Sequence, residues 1–310
     1  RKKIKLLKIL KSIMNKKCFH LFTGKGGTGK TTLSVATAVY YAKIGKNTLI
    51  ASIDPAHSLS DCLGIHLDSK PIEITKNLFG IEIDSKEALK RDRFLIKHTH
   101  NILKSLGIHD TDILETFPGI DEVMAYDMLV EFIENKDYDQ VVFDTAPSGH
   151  ALRFLSIPGH IDDWLKKSFR AGRQISSLLS IAKKMKIEGP SYRQEHEERD
   201  RMSKIYKMLT NPEYSSISIV TLPEKMSIAE TERDVITLIS YGLPVKEIII
   251  NQIFPESNDD FLKNKYYVQK KNIISIRKKF NNLRIKEVPY FTSEIIGLEE
   301  LEKISNILFQ

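Results

Sequence analysis

Gly24-Lys25-Gly26-Gly27-Thr28-Gly29-Lys30-Thr31, with Thr32 after it, follows the apolar run Cys18–Thr23 and opens a helical pattern at Lys30. The spacing is G-x-x-x-x-G-K-[ST] in the context that gives it meaning, between a strand and a helix. Glycines let successive backbone N–H groups turn toward one centre, and the helix N-terminus adds partial positive charge there. The anion that suits such a centre is a polyphosphate. Lys30 is placed to reach its β- and γ-phosphates, and the Thr31 hydroxyl is a magnesium ligand by type. Residues Gly24 to Thr32 therefore predict a phosphate-binding loop.

The rest of the chain alternates in the way that loop requires. Strand-like runs occur at Cys18–Thr23, Asn47–Ile53, Phe79–Ile83, Gln140–Asp144, Ile217–Thr221, Glu247–Ile253 and Leu283–Lys286. Several are continuous and β-branched, as expected of parallel strands covered on both faces. Helical stretches lie between them, including Lys30–Ile44, Glu122–Glu134 and Ile228–Ser240. The pattern predicts an α/β fold with a doubly wound, mostly parallel sheet of the P-loop NTPase kind. From about 159 to 210 the alternation stops and only helical pattern remains, which predicts a helical insertion subdomain inside a domain spanning 14–310. That insertion reads equally as a lid or client-binding surface and as a cap with its own small core.

Two acidic residues end strands where a nucleotide site needs them. Val141-Val142-Phe143-Asp144 finishes an apolar strand with a carboxylate, which offers Asp144 to magnesium. Ile50-Ala51-Ser52-Ile53-Asp54 ends the neighbouring strand and offers Asp54 to magnesium or to the attacking water. The expected metal ligands are thus Thr31, Asp54 and Asp144, and the expected ligands of the protein are ATP and Mg²⁺. Adenine is favoured because a guanine pocket needs N-K-x-D after a late strand. The nearest match, Asn135-Lys136-Asp137-Tyr138, has Tyr in the last place and precedes the wrong strand.

The bulk numbers bound the alternatives. The chain has 310 residues, 41% of them hydrophobic, with a formal charge of +7. Residues 1–17 hold eight of the 47 basic side chains and no acid, so the remaining basic residues and the 40 acidic ones balance to within one. The basic excess belongs to the first residues, and no nucleic acid partner is expected of the body. Residues 1–13 read as a leader that is disordered or foreign to the domain. The other reading, from Ile4, Leu6, Leu7, Ile9, Leu10 and Ile13, is a basic amphipathic helix on anionic lipid. No apolar run approaches the ~18–20 residues that cross a bilayer. Cys18 and Cys62 stand apart, outside any CxxC, and suit small buried thiols in a reducing cytoplasm.

With these residues in place the sequence resembles the ArsA-type ATPases, which drive arsenical pumps or target tail-anchored membrane proteins. The resemblance rests on Gly24–Thr32, Asp54–Asp61, Pro118–Glu122, Asp144–His150 with Leu152–Leu155, Pro223-Glu224, Asn251-Gln252, and Pro289–Glu294 followed by Gly297. It implies that Lys25 is similar to the signature lysine that crosses a dimer interface to the partner's nucleotide. It also implies that Asp54 orients the hydrolytic water, so that Lys25, Lys30 and Asp54 form the catalytic set. Asn251 is similar to the family's adenine-contacting residue, with Pro289 and Phe291 nearby. His57 and His150 are expected to support the switch segments Asp54–Asp61 and Asp144–His150.

Two departures shape the expectation. Members that target tail-anchored proteins carry a CxxC that shares zinc across the dimer. Here the segment is Asn258-Asp259-Asp260-Phe261-Leu262, ahead of Gln269-Lys270-Lys271, so no zinc is expected and the homodimer is expected to depend on nucleotide. The insertion offers Met185, Met202 and Met208 amid many charges, fewer than an adaptable surface for apolar segments would use. The function implied is a cytoplasmic, dimeric ATPase switch, peripheral to a membrane, that targets tail-anchored membrane proteins and acts on a hydrophobic client segment or a membrane partner protein. Energising an anion pump is the alternative within the family. A membrane- or nucleoid-associated positioning ATPase is the alternative from another class. The C-terminal Leu298–Phe309 speaks against it, because Glu299, Glu300 and Glu302 make that helix acidic and suited to packing on the core.

Overall fold

The computed structural model describes residues 17–52, 58–82, 131–145 and 203–310. The chain divides into two compact units, one of Arg1–Ile83, Asn135–Gly149 and Leu209–Gln310, the other of Asp84–Glu134 and His150–Met208. Nearly all described residues belong to the first. The leader 1–13 and the insertion as far as residue 202 lie outside the described residues, as do Asp54, His57, Pro118–Glu122 and His150; 203–210 is helical, as expected.

Eight strands form one sheet in the first unit: β1 (Cys18–Thr23), β2 (Thr48–Ser52), β3 (Ile72–Thr75), β4 (Leu78–Glu82), β5 (Gln140–Asp144), β6 (Ser215–Thr221), β7 (Val245–Ile253) and β8 (Arg284–Pro289). Their spatial order is β3-β4-β2-β5-β1-β6-β7-β8, and every neighbouring pair is parallel except β3 with β4. The doubly wound, mostly parallel sheet is present. Every residue of β2 and β5 is buried, and the helix Lys30–Lys43 packs against both strands.

β1 lies between β5 and β6, and the chain proceeds from it to β2 on one side and later to β6 on the other. Such a point, where winding reverses, opens a crevice beyond the carboxyl ends of the strands. The register sets its floor. Phe22 of β1 pairs with Asp144 of β5, and Asp144 with Ser52 of β2, so three strands end at one level.

Among the described residues, besides the helical stretches 131–134 and 203–210, the helices are α1 (Lys30–Lys43), α2 (Ser58–Leu63), α3 (Lys225–Ser240), α4 (Asp260–Lys279) and α5 (Leu298–Leu308). α1 is buried on most of its surface, and Ala36, Ala38 and Ala42 let the sheet and α5 approach it closely. Leu301, Ile304 and Leu308 of α5 share one core with Leu33, Val35 and Val39 of α1 and Ile249 of β7. Tyr40 stacks on Phe309 at 3.8 Å. The acidic C-terminal helix is therefore a core-packing element, as its stripe predicts.

The differences from expectation are local. β3 is a four-residue edge strand with alternating exposure, too short to stand out in sequence. α4 is a 20-residue helix in which only Gln269 and Ile276 are buried, so its pattern carries little apolar period. Asp259, in the segment where the resemblance led to the expectation of no CxxC, caps α4 by accepting from the Phe261 and Leu262 amides at 3.0 Å. Both cysteines are partly rather than fully buried, and burial pushes the Cys62 thiol up to about 11, which leaves it unreactive at neutral pH.

His20 makes the β1 centre pH-sensitive. Its Nδ1 lies 2.8 Å from Ser216 Oγ and its Nε2 2.8 Å from Gln140 Oε1, while the ring stacks on Tyr41 at 4.7 Å. Burial holds the imidazole down to about 4, against an ordinary value of 6.5. A depressed value means the fold prefers the neutral ring. That stabilisation is complete above pH 6.5 and is lost as pH falls through about 4. It amounts to at most about 3 kcal/mol. Urea unfolding between pH 7 and 4 should show this loss in wild type and a shallower slope in His20→Gln.

Candidate nucleotide site

The glycine loop joins β1 to α1, and its shape is set by close approaches. Gly24 has φ 140°, and a Cβ there would lie 2.2 Å from the Val220 carbonyl oxygen of β6. Neither backbone can yield, so Gly24→Ala is expected to cost about 3 kcal/mol or more, or to prevent folding, as a thermal melt would read. Gly29, in the left-handed region at φ 88°, caps α1 without a side chain, and the Asn251 amide occupies the space a Cβ would take.

One carbonyl organises the interior of the loop. Lys25 O accepts from the Thr28 amide at 3.4 Å, the Thr28 hydroxyl at 2.8 Å and the Lys30 ammonium at 3.0 Å. Lys30 is only 6% exposed. Its charge is therefore fixed at the N-terminus of α1, where the amides also point. Thr31 Oγ1 donates to Asp144 Oδ2 at 2.7 Å and lies 3.2 Å from Ser58 Oγ. Asp144 has no exposed surface. Beside it, Thr145 donates to the Phe22 carbonyl at 2.9 Å, tying the end of β5 to β1.

Ser58 was not singled out by sequence reasoning, nor was the reason for its position. Glu82 at the end of β4 accepts from the Leu59 amide at 2.9 Å, the Ser60 amide at 3.2 Å and the Ser60 hydroxyl. The only signal was an acid closing the apolar run of β4.

A cavity of about 190 Å³ opens next to the loop, lined by Gly29, Thr32, Leu33, Asn251, Gln252, Pro289, Tyr290, Phe291, Ile295 and Ile304. It brings together five of the predicted residues: Gly29, Thr32, Asn251, Pro289 and Phe291. Asn251 Nδ2 donates to the Thr28 carbonyl at 2.9 Å, which links the cavity to the phosphate loop. An apolar slot with amide groups on one edge can take a flat heteroaromatic base. Asn135–Tyr138, the imperfect N-K-x-D match, precedes β5 and so lies at the opposite end of the strands.

The chain matches the anion-transporting ATPase family (ArsA_ATPase) over residues 17–310. It is an ArsA-type ATPase. It is 35% identical to a protein of Aquifex aeolicus named, provisionally, arsenical pump-driving ATPase 2, over 93% of this chain and 97% of that one. It is 31% identical to ATPase get3 of Schizosaccharomyces pombe, over 92% of this chain and 89% of that protein. ATPase GET3B of Arabidopsis thaliana is also 31% identical, over 95% of this chain and 79% of that protein. As ATPases, members of this family act on a nucleotide, and the glycine loop with its neighbouring cavity has the chemistry to hold one.

In this ArsA-type ATPase the Lys25 side chain points away from the loop whose interior its own carbonyl organises. Its ammonium pairs with Glu230 of α3 at 3.4 Å, with 40% and 36% of the two side chains exposed. Glu230 also bears on Asp234 one turn along, whose carboxyl is pushed up to about 6, first by burial and then by that neighbouring charge. Sequence offered no signal for Glu230 as the partner of Lys25. Among the described residues no helix is long and apolar enough to cross a membrane.

Proposed function

We propose that this protein is a cytoplasmic, dimeric Mg-ATPase whose nucleotide-dependent closure serves the targeting of tail-anchored membrane proteins. The observation that carries the reading is the pair of lysines in one loop, Lys30 turned inward to the helix N-terminus and Lys25 turned outward to the surface. The inward lysine and the loop amides bind the β- and γ-phosphates. Asn251, Pro289 and Phe291 hold the adenine in the adjoining cavity.

The residues present fit magnesium: a hydroxyl and a buried carboxylate 2.7 Å apart are the donor pair that a P-loop site uses. Thr31 and Asp144 would hold the ion, joined by Asp54, and when bound it would spread the charge that develops in phosphoryl transfer. Asp54 orients the attacking water. Lys25 leaves Glu230, crosses to the partner's nucleotide and places its charge against the transferring group. Asp54–Asp61 and Asp144–His150 are the segments that respond to nucleotide state, and the insertion, about 159–210, supplies the client surface.

Support for the client class comes from relatives named as get3 ATPases, and α5 is acidic and packed on the core, unlike the basic amphipathic helix that a positioning role would use. The test is retention of a hydrophobic tail segment. Co-expression with a tail-anchored protein should yield a complex that survives gel filtration and dissociates on ATP turnover. Failure to retain any such segment with ATP or ADP removes the targeting role. It would favour the second reading, an anion-pump energiser, which the 35% identity to a protein named for driving an arsenical pump supports.

A further inference from the structure

The base cavity depends on an irregular strand end. β7 pairs regularly with β8 through Ile250, and the register then shifts before Ile253 meets Pro289. Within that shift Gln252 adopts φ 58°, a left-handed conformation that costs a non-glycine residue about 1 kcal/mol or more. The kink has a consequence for the site, since Asn251 and Gln252, adjacent in sequence, both line the cavity. In a regular strand adjacent side chains point to opposite faces.

The groups that stabilise this kink are identifiable. Gln269 of α4 is 8% exposed on a helix otherwise turned mostly to solvent. Its Nε2 donates to the Gln252 carbonyl at 3.1 Å, and its Oε1 accepts from the Phe254 amide at 2.8 Å. The side-chain amide thus bonds the backbone on both sides of Ile253, as a neighbouring strand would. The Ile253 carbonyl accepts from the Tyr290 amide at 2.8 Å, and the Phe254 ring stacks on Tyr290 at 4.9 Å. Tyr290 itself lines the cavity. The rim formed by Asn251, Gln252 and Tyr290 is therefore tied through two hydrogen bonds to one side chain outside it.

We infer that Gln269 is a positioning residue for base recognition: by clamping residues 252–254 it sets the width of the cavity, and so the affinity for the purine and not for the triphosphate. This rests on the reading of the cavity as the adenine site. Gln269→Leu keeps the side chain's bulk and removes both bonds, so the partly buried Gln252 carbonyl and Phe254 amide lose these partners and the kink loses its fastening.

The experiment compares full-length wild type, Gln269→Leu and Phe291→Ala, with ATP and inorganic tripolyphosphate as ligands. Gln269→Leu should raise Kd and KM for ATP about 10-fold or more, leave kcat within about 3-fold, and leave tripolyphosphate binding unchanged. Gln269→Glu, which retains only the acceptor, should shift the ratio of the two affinities in the same direction by less. Equal weakening of ATP and tripolyphosphate, or an unchanged ratio while Phe291→Ala alters it, overturns the inference and leaves the adenine site standing. If neither Phe291→Ala nor Gln269→Leu alters the ratio, the adenine reading itself fails. Loss of folding in both Gln269 variants also overturns the inference, because the residue is then structural.

Discussion

Lys25→Ala should lower ATP turnover by about 10³-fold while the Kd for ATP stays within a few-fold of wild type. The side chain that is lost makes no bond inside the loop, whereas the carbonyl that Thr28 and Lys30 use remains. Binding and folding should therefore persist. The contact that ends is the ion pair with Glu230, whose partners are 40% and 36% exposed, and such pairs contribute at most about 1 kcal/mol. That weakness is what the proposed crossing of Lys25 to the partner requires. A positive charge brought to the transition state in trans is worth about 10³–10⁵ in rate. Wild-type specific activity should then rise with protein concentration through the dimerisation range, and Lys25→Ala should stay flat. Turnover that is independent of concentration and survives Lys25→Ala would mean that each chain completes the chemistry alone.

Asp144→Asn should be the next most damaging change for its size. The carboxylate is fully buried and accepts from Thr31 at 2.7 Å, a bond that the asparagine carbonyl can still receive. Shape and the level ends of β1, β2 and β5 are preserved, so the thermal midpoint should move little. Only the negative charge is removed, and with it the affinity for a hard cation. We expect kcat to fall about 10²–10³-fold and the magnesium concentration for half-activity to rise about 10-fold or more. Calorimetric binding of magnesium-free ATP should be nearly unchanged. If activity falls without any change in magnesium dependence, Asp144 acts on the water or the loop and not on the metal.

The loop and Asp144 can be read from local sequence, whereas the part expected of Lys25 comes from the family resemblance alone. A phosphate loop is local: nine consecutive residues carry the backbone turn, the helix start, the lysine and the hydroxyl. Asp144 is nearly as local, because an apolar run closed by a carboxylate needs only to be a strand beside the first. Apolar strands such as Thr48–Ser52 and Gln140–Asp144 were likewise readable, since every residue in them is buried. β3 and α4 were not, for the opposite reason. An alternating four-residue edge strand and a helix burying two side chains have little apolar pattern to detect.

What the sequence by itself determined is the phosphate loop, the α/β alternation that carries it and the family to which the chain belongs. The tertiary structure alone decided the order of the strands, the Thr31–Ser58–Asp144 convergence, the Glu230 partner of Lys25 and the clamp by Gln269. It also assembled a cavity from segments near residues 29–33, 251–252, 289–295 and 304. The division follows from the physics of each feature. Backbone turns and burial patterns are dictated by neighbours in sequence. A cavity wall or an ion pair depends on which distant residues the sheet register brings within about 3–4 Å, and that register is fixed only when the whole core packs.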